Sequence, residues 1–174
     1  MSCNQILDNL EYFIEMIDKD QQLFLKNRDL LESESKNIDA LRPIYMNFNK
    51  LYNEFRDNTA NIIVAHSELK DNERKHKFGD IDDDDFFKNK KQLKAKIVNS
   101  CTTMTEDIFP KLREFIRQIS LSAPEDKKKT FEMERDSMIQ QIEKEIEGKG
   151  ILEKIEPYLK LLPKVIKKAA LLLI

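Results

Sequence analysis

A long heptad pattern near the middle of the chain restricts the fold more than any other feature of this sequence. Between residues 38 and 69, apolar and aromatic side chains recur at alternating spacings of three and four positions. This alternation places them along one seam of an α-helix. Because a helix with such a seam is not stable alone in water, other parts of the chain must cover it. The seam consists of Ile38, Leu41, Tyr45, Phe48, Tyr52, Phe55, Thr59, Ile62, His66 and Leu69.

The preceding segment has a similar pattern and predicts a helix over residues 4–32. Its apolar stripe is wide, which suits a bundle of three or four helices better than a two-stranded coiled coil. Gln21 and Arg28 fall on the predicted seam, where polar residues usually set the register of packing. Residue types that cap helices crowd the break at residues 32–43, so a short connection should make the first two helices antiparallel neighbours. The apolar seam positions are Leu7, Leu10, Ile14, Ile17, Phe24 and Leu31.

Two more helices are predicted downstream. The third covers residues 85–121, with the acidic run at 82–85 as its N-cap and first turn and with a kink at Pro110. The fourth starts at Ser122, which has the spacing of a capping box with Glu125. These patterns predict an all-α fold: an elongated antiparallel bundle of four long helices, with a heptad-patterned N-terminal hairpin and a C-terminal basic amphipathic helix.

The C-terminal segment differs in character from the rest of the chain. At about 100° per residue, its last four lysines fall on one arc of a helix and apolar side chains fill the remainder. A lysine stripe on an otherwise apolar helix is typical of segments that lie in a membrane interface. We therefore divide the chain into a helical bundle at 1–147, a Gly-Lys-Gly hinge at 148–150, and an amphipathic tail at 151–174 that lies on lipid or packs on the bundle.

Two functions are consistent with this division. In the first, the protein is a non-enzymatic module that engages anionic membranes through its tail, as a membrane-perturbing effector would. In the alternative, it is an adaptor that presents coiled-coil-like seams to a helical protein partner or to a second copy of itself, and the tail is a core helix. The residues predicted to contact lipid are Lys160, Lys164, Lys167 and Lys168 at the headgroups and Leu159, Leu162, Val165 and Ile166 in the acyl region.

Composition and motifs argue against an enzyme. With only 3 glycines, the chain has no glycine-rich phosphate loop and no dinucleotide fingerprint. Its net charge of −2 provides no basic field for nucleic acid. The acidic run fails the pattern of a calcium loop, because Asp85 stands where a glycine is required and Lys91 replaces the bidentate glutamate. We therefore expect no catalytic residue, no metal, no cofactor and no nucleic-acid partner.

Single residues support further expectations. His66 lies on the heptad seam, where a histidine is a candidate pH sensor because it titrates near neutral pH. Cys101 falls on the apolar face of the third helix and is expected to be a packed core thiol. The 2 cysteines of the chain form no CxxC pair, which favours a cytoplasmic protein, peripherally membrane-bound if the tail binds lipid. No run of about 18 uncharged apolar residues is available to form a transmembrane helix.

Overall fold

The structure, a computed structural model, describes residues 2–150 and 152–173. Helices and the turns that connect them account for this part of the chain, and no strand occurs in it. The α-helices are α1 (Leu10–Ser35), α2 (Arg42–Lys77), α3 (Asp83–Thr103), α4 (Phe109–Leu121), α5 (Glu125–Glu145) and α6 (Ile155–Leu173). Short 3-10 turns precede α1, α2 and α6 at Gln5–Asp8, Asp39–Leu41 and Leu152–Lys154. The predicted all-α class is confirmed.

Helices α3 and α4 form one continuous rod with a wide turn in the middle. The turn covers Met104–Ile108 and has π-helical hydrogen bonding, in which the Phe109 N–H donates to the Met104 carbonyl. Pro110 has no N–H to donate to a carbonyl one turn earlier. A π turn directly before the proline accommodates the missing bond without ending the helix. The distortion predicted near Pro110 therefore takes the form of a π turn.

Contacts between side chains show that α1 and α2 are antiparallel, as predicted. Glu11, near the start of α1, is 3.1 Å from Lys70, near the end of α2. Further along, Phe24 of α1 stacks on Phe55 of α2 with 4.6 Å between ring centroids. Short turns then reverse the chain between α2 and α3 and again between α4 and α5.

The last helix runs parallel to α1 and packs against α1, α4 and α5. Asp20 of α1 faces Glu156 of α6. At a later position in both helices, the Asn27 side chain donates a hydrogen bond to the Leu159 carbonyl, so residue numbers increase in the same direction along α1 and α6. Within the described residues the bundle thus has five helical rods, so the predicted count of four long helices is not confirmed. The reason is that the predicted tail contributes one of the packed helices.

The heptad seam of α2 faces the core over most of its length. Of its ten predicted members, all but Tyr45 and His66 are buried. Phe48, near the start of the seam, also contacts the Phe115 ring of α4, with 4.9 Å between centroids. The seam is therefore covered by α1 on one side and by the α3–α4 rod on the other.

On α1, the buried stripe differs from the prediction at two polar positions. Gln21 and Arg28, predicted on the seam, are half-buried, whereas Asp20 and Asn27 are buried. The reason is that α1 packs against both α2 and α6, so its buried stripe is centred on the groove between them. Leu7, Leu10 and Ile14 are partly buried at the edge of the core. The buried positions of α1 are Phe13, Ile17, Asp20, Phe24, Asn27, Leu31 and Ser35.

Two predicted helix starts have different outcomes. Asp82 caps α3, because its side chain accepts a hydrogen bond from the Asp85 N–H at 2.8 Å. Ser122 does not cap α5. The extended backbone at Pro124, with a ψ of 148°, delays the helix start to Glu125 and leaves Ser122 in the turn after α4. The predicted capping box is therefore wrong.

Candidate functional site

The amphipathic segment indicated by the sequence is α6, and in this structure it is docked in the bundle. Its apolar face belongs to the core that the other helices share. The four residues predicted to enter lipid have 0% of their surface exposed: Leu159, Leu162, Val165 and Ile166. Contact of these residues with lipid would require α6 to leave this position, so it stays a prediction about another state of the protein.

The lysines predicted to meet headgroups lie on the opposite face of α6, which we call the lysine ridge: Lys160, Lys164, Lys167 and Lys168. Lys160 is 2.6 Å from Glu156, one turn earlier in the same helix. Lys168 is 3.0 Å from Glu134 of α5. The other two lysines are exposed and have no ion-pair partner among the described residues. The ridge thus presents two uncompensated cations to solvent.

A proline within α6 creates a polar contact with α1. Pro163 has no N–H, so the Leu159 carbonyl one turn earlier has no helical donor. The Asn27 side chain of α1 supplies the replacement, because its Nδ2 donates to the Leu159 carbonyl at 2.9 Å. The same Nδ2 donates to the Leu23 carbonyl of α1, also at 2.9 Å. This buried amide fixes the position of α6 along α1.

Two turns before Asn27, α1 places a carboxylic acid in the same interface. Asp20 has 0% of its surface exposed, and neither of its carboxylate oxygens has a hydrogen-bond partner among the residues that the structure describes. Burial raises the pKa of Asp20 from 3.8 to about 8; Glu156 adds to the rise and Lys160 opposes it. The side chain is therefore predominantly neutral in the docked structure at pH 7.

The α2 side of Asp20 offers only a neutral hydroxyl. Because α1 and α2 are antiparallel, moving one helical turn from the stacked Phe24–Phe55 pair leads to Asp20 on α1 and to Thr59 on α2. Within the described ranges, the Thr59 hydroxyl is buried without a hydrogen-bond partner, and so is the Oδ1 of Asn27. Unsatisfied polar atoms of this kind are uncommon in native cores and call for an explanation.

Sequence reasoning missed Asp20 and Asn27, although the sequence contains a signal for them. With Phe13 they form a series at intervals of seven, which is the heptad spacing. The prediction followed the adjacent series, which starts at Leu7, continues through Ile14 and has the same spacing. The choice between the two series depends on where α6 lies, and the sequence of α1 contains no information about that.

The two histidines lie away from this interface. His66, the candidate pH sensor, is half-buried on α2 and forms no hydrogen bond or ion pair with the described residues. Its role stays a prediction. His76 lies near the turn between α2 and α3, with its Nε2 2.6 Å from Asp83 Oδ1 and its ring stacked on Phe86. These two contacts hold the end of α2 against the start of α3.

The surface clefts have mixed charge. A cleft of about 420 Å³ between α4 and α5 is lined by three arginines and three acidic residues, namely Arg113, Arg117, Arg135, Glu114, Asp136 and Glu143. Its lining charges cancel, so it selects neither anions nor cations. In the described part of the chain, no three His, Cys, Asp or Glu side chains cluster as a metal site requires.

No helix in residues 2–150 or 152–173 combines the length and the apolar character needed to cross a bilayer. Comparison of the chain with protein-family models, with curated protein sequences and with solved structures gave no match. The function of α6 must therefore be inferred from the chemistry of its own residues and their contacts.

Proposed function

We propose that this protein is a non-enzymatic helical bundle that stores an amphipathic helix and releases it onto anionic membranes. In the stored form, α6 buries its apolar face against α1, α4 and α5. In the released form, that face enters the bilayer interface and the lysine ridge meets the headgroups. The observation that supports this proposal is the division of α6 into a buried apolar face and a ridge of lysines, two of which pair with no acidic residue in the described part of the chain.

Two contributions to the free energy favour transfer of α6 from the bundle to a membrane. The bilayer interface replaces the apolar burial that the helix loses when it leaves the bundle. Each lysine near an anionic surface contributes about 1 kcal/mol of binding that the docked helix does not receive. The unsatisfied polar atoms around Asp20 and Asn27 weaken the docked form, because buried groups without partners retain their desolvation penalty.

Vesicle binding by a charge-reversed variant tests the contribution of the lysine ridge. Lys164→Glu/Lys167→Glu reverses two exposed lysines that have no ion-pair partner within residues 2–150 and 152–173, so folding should be unaffected. We expect the affinity for phosphatidylserine-containing vesicles at low salt to fall about 30-fold or more, from the loss of about 1 kcal/mol per lysine. Wild-type binding should weaken as the salt concentration rises. Co-sedimentation measures both effects.

The matched control is Lys88→Glu/Lys91→Glu, which reverses two exposed lysines of α3 at the same spacing. It changes the net charge by the same amount and should retain binding. An equal loss of binding in both variants would mean that overall charge drives association, which contradicts the proposal. Equal affinity of the wild type for anionic vesicles and for phosphatidylcholine vesicles would contradict it as well.

A tryptophan probe reports whether α6 leaves the bundle. The chain has 0 tryptophans, so Tyr158→Trp, at a position 3% exposed on α6, introduces a single reporter. With vesicles that contain brominated acyl chains, its fluorescence should be quenched, because release places it in the bilayer interface. Tyr52→Trp on the buried seam of α2 is the control and should stay unquenched. Vesicle binding without quenching of the α6 probe would rule out release.

The alternative function, an adaptor that binds a second copy of the chain, is favoured by a different observation. Phe78 and Phe87 are 71% and 62% exposed where α2 turns into α3. Exposed aromatic side chains are the kind of surface that protein interfaces cover. Light scattering over a concentration series should then detect a dimer that Phe78→Ser/Phe87→Ser abolishes. A monomer at all concentrations would exclude self-association.

A further inference from the structure

Asp20 is a buried acid without a hydrogen-bond partner at the interface that holds α6. Its side chain is 0% exposed, and both carboxylate oxygens lack a hydrogen bond to any described residue. A neutral carboxylic acid is tolerated in such a place at moderate cost, whereas an unpaired carboxylate ion is strongly disfavoured. The preferred protonation state of Asp20 must therefore differ between the docked form and any form in which water reaches this side chain.

On the α6 side, two charged residues face Asp20 with opposite effects. Glu156 disfavours a negative charge on Asp20, and Lys160 favours it. Because Lys160 Nζ is 2.6 Å from Glu156 Oε1, the two side chains form an ion pair whose fields largely cancel at Asp20. An ionised Asp20 therefore gains little from α6 while the helix is docked.

The other elements around Asp20 supply no countercharge. On α2, the group at the same level is the neutral hydroxyl of Thr59. On α1, the residues one turn before and one turn after are the buried Ile17 and Phe24. The adjacent cation, Lys19, is exposed and lines a surface cleft. The docked arrangement thus favours Asp20 with its proton bound.

We propose that Asp20 is a proton-controlled latch: α6 stays docked on α1 while Asp20 is protonated, and its undocking is promoted when Asp20 ionises. The latch rests on the proposed function for its purpose, because undocked α6 is the form that would bind a membrane. Undocking itself requires no lipid and is measured without it.

The direction of the pH dependence follows from the two pKa values of Asp20. Its pKa is about 8 in the docked structure, against 3.8 for a carboxylic acid in water, the environment that undocking would give it. Between these values, the docked form holds a proton that the undocked form has released. The stabilisation is therefore complete below about pH 4 and is lost as the pH rises to about 8. Because one proton is released on undocking, the undocking equilibrium constant should increase about tenfold per pH unit within this window.

Hydrogen–deuterium exchange of the full chain without lipid tests the latch. After correction for the intrinsic pH dependence of exchange, the protection factors of α6 amides should fall about tenfold per pH unit between about pH 5 and pH 8. Protection in the turn between α2 and α3, two helices that pack on each other, serves as the internal reference and should stay constant. Protection of α6 that is independent of pH would overturn the proposal.

Variants of α1 assign the effect to Asp20. Asp20→Asn keeps the shape of the side chain and removes its titration, so α6 protection should become constant with pH and exceed that of the wild type near pH 8. Asp18→Asn changes an exposed acid of the same helix and should retain the wild-type pH dependence. If Asp20→Asn does not fold, Asp20→Leu gives the same comparison with an apolar side chain. An undiminished pH dependence in the variant that folds would refute the latch.

The outcomes separate the latch from the proposed membrane function. A pH-dependent α6 whose response is abolished by Asp20→Asn, together with no vesicle binding at any pH, would support the latch and contradict the membrane function. Suppose instead that vesicle binding is lost in Lys164→Glu/Lys167→Glu and that the hydrogen-exchange protection of α6 does not change with pH. This result would support the membrane function and contradict the latch.

Discussion

At the scale of single residues, the α1–α6 interface contains three side chains that a helix or a core normally excludes. Asp20 and Asn27 of α1 are buried polar residues, and Pro163 lies inside α6. Asn27 and Pro163 compensate for each other, because the amide donates to the carbonyl that the proline leaves without a donor. Asp20 has no comparable partner. The α1–α6 interface is therefore stabilised by a buried hydrogen bond at Asn27 and destabilised two turns earlier, at Asp20.

Asn27→Ala should lower the free energy of unfolding by about 1–3 kcal/mol, because the Leu159 carbonyl would stay buried without a donor. Pro163→Ala restores an N–H one turn after Leu159. The double variant should therefore be more stable than the sum of the single effects implies, by about 0.5–1.5 kcal/mol. Urea denaturation of the two single variants and the double variant measures this coupling. Additive effects would show that the two residues act independently.

Asp20→Asn should raise the free energy of unfolding, and the gain should grow with pH. In the wild type, unfolding within the window from about pH 4 to about pH 8 releases the proton of Asp20, whose pKa falls from about 8 to 3.8. The stability of the wild type relative to the variant should thus decrease by about 1.4 kcal/mol per pH unit. Urea denaturation near pH 5 and near pH 8 tests this. The gain should be absent in Asp18→Asn.

At the scale of helices, charged residues stabilise the end of α2 and the start of α3. The last turn of α2 contains four basic residues, Arg74, Lys75, His76 and Lys77, which are favourable at a helix C-terminus. Asp82 then caps α3. The segment at 70–92 is densely charged, and it is helical up to both sides of the short turn at 78–82. Charge density alone does not distinguish a solvated helix end from a loop.

Gly148→Ala should lower the free energy of unfolding by about 1 kcal/mol, through the connection between α5 and α6. Gly148 has a φ of +78°, a conformation that L-residues disfavour, and an added Cβ would meet no atom within 4 Å. The loss would therefore come from backbone strain and not from a clash. Thermal denaturation measures it. Lys149→Ala, at the next and exposed position, is the control and should have little effect.

At the scale of the whole molecule, α6 joins parts of the bundle that have few other contacts. Its buried residues belong to the same core as those of α1, α4 and α5. Within α5, the buried residues are only Phe131 and Ile142. Packing of α5 therefore depends strongly on α6, whereas α2 and α3 pack directly against each other.

Removal of residues 151–174 should expose the apolar groove between α1, α4 and α5 and lower the Tm by more than about 10 °C. The truncated chain should bind a hydrophobic dye and lose more helicity than the deleted residues account for, since α5 loses its main cover. Circular dichroism and dye fluorescence measure these changes. An unchanged Tm without dye binding would show that the remaining helices form a complete core without α6.

The predictions from sequence succeeded where the pattern is strong and local. The α2 seam has large aromatic members such as Phe48 and Phe55, and its heptad spacing leaves one choice of buried face. The α1 stripe has two adjacent heptad series, and the prediction selected the series with Gln21 where the structure buries Asp20. The buried polar residues of the candidate site were therefore missed, because the heptad spacing allows both series and only the position of α6 selects the one with Asp20 and Asn27.

The sequence by itself determined that this chain is helical, and that its last helix has lysines on one face and apolar side chains on the other. These properties are periodic and depend only on neighbours along the chain. Only the tertiary structure decided that the apolar face of α6 is covered by α1, α4 and α5, and that Asp20 and Asn27 lie beneath it. Burial depends on which helix lies opposite, and that is set by contacts between residues far apart in sequence.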